Sequence, residues 1–162
     1  MKEFQRYALG VAIFAAVLYV ALVIAAFGFI SLAANVDVIG ERDAGVVVGP
    51  VMVATSAVVV LVSLISIGVR IPPERQRISI GGSVGVGIAA LIGYVGIGSA
   101  VYAAGRGDPI AFVLFAARNL ISPFALGAAA LAAIVAFLYM LVLATHVGDN
   151  GGPRWPWERR GE

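Results

Sequence analysis

Arg118 is the only strongly charged residue within the apolar stretch from Ile110 to Val147. An ionisable side chain at membrane depth marks an ion or substrate pathway, or else snorkels out to the headgroups. A second candidate for chemistry is a stripe of hydroxyls. On a helix, Thr55, Ser56, Ser63 and Ser66 fall within an arc of roughly 100°. Such a stripe lines a polar path or ties neighbouring helices together at ~0.6 kcal/mol per bond. Arg118 with Ser56, Ser63 and Ser66 is therefore the candidate polar site.

Other constellations carry less. Asp37, Glu41 and Asp43 sit close together, as a cation site would need, but they read as a solvated loop whose acids simply stay out of the membrane. Gly85-Val86-Gly87 lacks the preceding strand and following acid of a nucleotide loop. Arg106-Gly107-Asp108 matches an integrin-read tripeptide, yet Asp108 before Pro109 is explained as a helix N-cap with proline at the first position. The lone His146 has no base or nucleophile beside it and is read as interfacial. With no cysteine, disulfides, thiolate catalysis and thiol metal ligands are excluded. No catalytic, cofactor-binding or metal-ligating set emerges, and an enzyme is not expected.

The elements that must position these residues follow from composition. Hydrophobic residues make up 61% of the chain and charged ones 12%, about half the charged share usual in a soluble domain. The net charge of +2 is too small to argue for nucleic acid. Four long apolar runs predict transmembrane helices over about 7–34, 46–69, 80–104 and 123–145, since a helix alone satisfies its own backbone in lipid. A signal peptide is the rival reading of the first run, with Ser31-Leu32-Ala33 as its cleavage site. Its core is too long for that, and three more spans follow. Residues 110–147 would measure roughly 57 Å as one helix, too long for a single crossing. Arg118-Asn119 and Ser122-Pro123 divide them, which predicts a short helix over about 109–121 at the interface, then a break. One kinked, strongly tilted helix is the alternative.

The third span is crowded with glycine. Gly81, Gly85, Ala89, Gly93, Gly96 and Ala100 fall within a helical arc of roughly 120°, a nearly side-chain-free face of the kind that lets membrane helices approach closely. Gly87 and Gly98 open a smaller groove behind it, beside Tyr94. The expected fold is all-α: a four-helix transmembrane bundle over 1–147, with a short extracytoplasmic interfacial helix before the last span. Residues 148–162 read as a disordered cytoplasmic tail. There Arg154, Trp155, Trp157, Arg159 and Arg160 suit the lipid headgroup layer.

Orientation follows from the basic residues. Lys2, Arg6, Arg70, Arg75, Arg77, Arg154, Arg159 and Arg160 lie on one side, against Arg42, Arg106 and Arg118 on the other. Positive charge stays inside, so both termini are expected in the cytoplasm. The preference for arginine over lysine, with abundant Ala, Gly and Val, suggests a GC-rich bacterial genome. With its Arg-rich inner loops and the last hairpin Ile121-Ser122-Pro123-Phe124-Ala125-Leu126-Gly127, the chain resembles the small uncharacterised four-helix integral membrane proteins common in actinobacteria. That resemblance covers the layout of the whole chain and implies a multi-pass protein of the cell membrane. Two functions from different classes fit. One is a scaffold whose Gly/Ala faces assemble a homo-oligomer or recruit a partner membrane protein. The other is a subunit of a small oligomeric transporter or pore.

Overall fold

The computed structural model describes residues 2–35, 37–39, 46–71 and 78–149. These form helices α1 (Lys2–Ala34), α2 (Val48–Arg70), α3 (Ile80–Arg106), α4 (Pro109–Leu120) and α5 (Pro123–Asp149), with no strand among them. Four contain stretches long and apolar enough to cross a membrane: Glu3–Ala34, Val48–Arg70, Ile80–Arg106 and Pro123–Thr145. Each is predominantly apolar on all sides, as suits a helix surrounded by lipid. Phe14, Ile24, Val58, Ile92 and Ile134 all stand exposed on the outside of the bundle.

The ends of the helices are set by local chemistry. Ser79 caps α3 by accepting the Gly82 N–H at 3.1 Å. Asp108 accepts the Ile110 N–H at 2.9 Å, with Pro109 in the first turn of α4. Between them Gly107 closes α3 at φ 64°, the left-handed conformation that glycine adopts without penalty. Asn35 ends α1 in the same region, at φ 51°. At its other end α1 runs through the polar head to Lys2, where no helix breaker stops it and Glu3 favours the first turn. The last helix continues to Asp149, beyond the expected 145. The rest of the tail, residues 150–162, lies outside the described residues.

Helices α1, α2, α3 and α5 pack in a ring, each on the next, and α5 closes onto α1. Neighbours run antiparallel. Tyr19 on α1 meets Ser56 on α2, whereas Ala8 lies beside Gly68. Met52 and Val59 of α2 approach Gly98 and Gly93 of α3, in that order. The core mixes small alanines with valine, leucine and phenylalanine, and holds three fully buried tyrosines, Tyr19, Tyr94 and Tyr139.

The break between α4 and α5 falls at Ile121–Ser122, where the sequence places it. Ser122 caps α5 by accepting the Ala125 N–H at 3.1 Å. α4 folds back along α3 after the Gly107–Asp108 turn and touches α5 only slightly.

Candidate functional site

The predicted small face of α3 and the actual helix contacts lie on different sides. Where a Cβ would stand on Gly81, Gly85 or Gly96 there is nothing within 4 Å. Ala100 is exposed and Ala89 half-buried. Of the predicted glycines only Gly93 meets a neighbour, with Val59 Cγ2 at 3.0 Å from its Cβ position. The close approaches within this chain are made by the smaller groove. A Cβ on Gly87 would stand 2.7 Å from the Ala129 carbonyl oxygen, and one on Gly98 would stand 2.6 Å from Met52 Cγ. Gly68 on α2 is a third such site, with its Cβ position occupied by the Tyr139 hydroxyl. The reason is physical: a helix apolar on every side carries no signal for which side faces protein.

The candidate polar residues are not brought together. Ser56 is buried at the centre of the bundle, accepting from the Tyr19 hydroxyl at 3.1 Å and donating to the Val53 carbonyl at 2.9 Å. Ser63 donates to the Val59 carbonyl of its own helix at 2.7 Å. Ser66 and Thr55 are half-buried. Arg118 is exposed on α4, which packs chiefly along α3 rather than against the hydroxyls of α2. Among the described residues every buried side-chain nitrogen and oxygen has a hydrogen-bond partner. Within the stripe Ser56 ties α2 to α1 through Tyr19, whereas Ser63 bonds only its own helix. Trp155, Trp157, Arg154, Arg159 and Arg160 lie outside the described residues, as do Glu41, Asp43 and the side chain of His146.

Sequence reasoning missed the tyrosine ties. Tyr139 donates to the Ala8 carbonyl at 3.2 Å, and Tyr19 reaches the Ala128 carbonyl at 3.4 Å as well as Ser56. The available signal was the phenol itself, which needs an acceptor when buried. Above this layer Phe27 packs edge-on to Tyr94, at 6.0 Å between centroids, and to Phe124, at 5.3 Å. At the α3–α4 turn the Tyr102 ring stacks on Phe115 at 4.7 Å. Arg106 donates to the Tyr102 hydroxyl at 2.6 Å, its guanidinium 5.5 Å from that ring's centroid.

An open groove of about 480 Å³ runs between α1 and α2, lined by aliphatic side chains including Ile13, Val17, Ala57 and Leu61. Among the described residues no polar group orients a ligand there, unlike the usual small-molecule site. Four apolar spans, a core tied by tyrosine and serine, and a lipid-like exterior define a multi-pass helical membrane protein by length and composition. Residues 1–162 match a family of unknown function, DUF6121, and the chain belongs to that family. No curated protein and no solved structure matches it.

Proposed function

We propose that the chain is a non-enzymatic scaffold of a bacterial plasma membrane, both termini cytoplasmic, that assembles through the outward Gly/Ala face of α3. One observation carries this reading. The fold uses Gly68, Gly87 and Gly98 for its own close contacts and leaves Gly81, Gly85 and Gly96 with open space above them. A glycine in a helix costs ~1 kcal/mol relative to alanine in water, and a small face in lipid favours the approach of another helix. The partner is a second copy or another membrane protein. The transporter alternative gains less support, because Ser56 and Ser63, two of the α2 hydroxyls that would line its path, are already hydrogen-bonded within the chain. Copurification from mild detergent, wild type against Gly85→Leu, followed by mass spectrometry, tests the proposal. Loss of the partner with retention of the folded bundle is expected; an unchanged set of associated chains sinks it.

A further inference from the structure

α4 leaves most of its circumference bare. Ala111, Phe115 and Asn119 are buried, whereas Ile110, Leu114 and Ile121 are 67, 56 and 76% exposed. With Ala117 these three fall on one face, within roughly 60° of arc.

Its depth follows from contacts elsewhere. Phe27 touches both Tyr94 and Phe124, so the first turn of α5 lies level with the middle of α3. From Tyr94 to Arg106, α3 rises a further ~18 Å. Only Ile121 and Ser122 separate α4 from α5, so α4 must descend most of that height itself. Its 12 residues are long enough, at ~1.5 Å each, and the Tyr102–Phe115 stack holds them beside α3. α4 therefore runs down along the last turns of α3 in the same sense as α5. Its position is not that of a helix lying flat across the end of the bundle.

The break is bonded within itself. The Ile121 and Ser122 N–H groups both donate to the Asn119 carbonyl. The Ser122 carbonyl accepts from the Leu126 N–H at 3.1 Å, and its hydroxyl from the Ala125 N–H at 3.1 Å. The Asn119 side chain donates to the Phe115 carbonyl at 3.0 Å. These bonds make the break compatible with hydrocarbon, where backbone groups must be satisfied internally. Arg118 fits the same placement. Arg118 is exposed, and helical side chains tilt toward the N-terminus, which for α4 is the end nearest the headgroups, a geometry that lets a long side chain snorkel.

We infer that α4 and α5 form one interrupted crossing, in which α4 is a half-membrane helix with its outer face covered by lipid acyl chains and Arg118 directed to the phosphate layer. The inference rests on the membrane reading, not on assembly through α3. Nitroxide labels at Ile110→Cys, Leu114→Cys, Ala117→Cys and Ile121→Cys test it in the cysteine-free chain, in vesicles of phosphatidylethanolamine and phosphatidylglycerol. Collision with oxygen and with a water-soluble nickel chelate reports depth. Depth should increase stepwise from Ile110 to Ile121, by roughly 16 Å over the 11 intervening steps. Equal, headgroup-level depths at all four would overturn the inference, as would protection from both reagents, which places a protein partner on this face. A label at Phe14→Cys on α1 separates the two levels of failure. A water-exposed Phe14 position defeats the membrane reading itself, and hydrocarbon at Phe14 with a flat α4 defeats only the inference.

Discussion

The Tyr139 hydroxyl occupies the space that a side chain on Gly68 would need, and from there it donates to the Ala8 carbonyl. Three helices meet at that point, and the bond joins residues 131 apart in sequence. Gly68→Ala should displace the buried hydroxyl and leave the phenol without its acceptor, since the Ala8 carbonyl keeps its own helical partner, at a cost of about 1–3 kcal/mol. Tyr139→Phe keeps the ring and should cost less, ~0.6 kcal/mol being typical of such bonds in membranes. Thermal unfolding in detergent of the two single variants and the double variant checks both. The two effects should be non-additive, because they act on one contact.

Gly87 and Gly98 should respond differently to the same methyl group. At Gly87 the obstacle is the backbone carbonyl of Ala129, which cannot move without shifting α5. At Gly98 it is the side chain of Met52, and methionine adapts. Gly87→Ala should therefore cost about 1–3 kcal/mol, and Gly98→Ala less. Equal melting temperatures for the two variants would contradict this account of the α3–α5 contact.

The Tyr102–Phe115 stack is the aromatic contact between α3 and α4. Phe115→Ala removes the partner of Tyr102, and the aromatic interaction alone is worth about 0.5–1.5 kcal/mol. Hydrogen exchange should quicken across Pro109–Leu120 while α1 and α2 keep their protection. Uniform loss of protection would mean that α4 is integral to the bundle rather than held at its edge.

The spans were legible because lipid demands long uncharged runs, and these are plain from Tyr7 onward. The last break was legible too, since Ser122-Pro123 supplies a cap and a first-turn proline together. Which way the glycines of α3 face was not. Ile88 and Ile92 on the exposed side are as apolar as Val86 and Val95 on the buried side, so hydropathy cannot tell protein from lipid. The tyrosine ties were hidden for a related reason. Tyr19 and Tyr139 become informative only when their acceptors, Ala128 and Ala8, are known, and a backbone carbonyl leaves no mark in a sequence. Arg118 was visible as the odd charge in an apolar run, but its separation from Ser56 depends on α4 folding back along α3.

Side-by-side variants at two neighbouring glycines of α3 test the central claim most directly. Gly85→Leu and Gly87→Leu place the same bulk two positions apart, on the open face and on the α5 contact. Each is scored for melting temperature and for chemical crosslinking to other chains in native membranes. Gly87→Leu should unfold, while Gly85→Leu should melt as the wild type does and lose its crosslinked species. Wild-type crosslinking by Gly85→Leu, or unfolding of both variants alike, would contradict a scaffold that folds through one glycine face and assembles through the other.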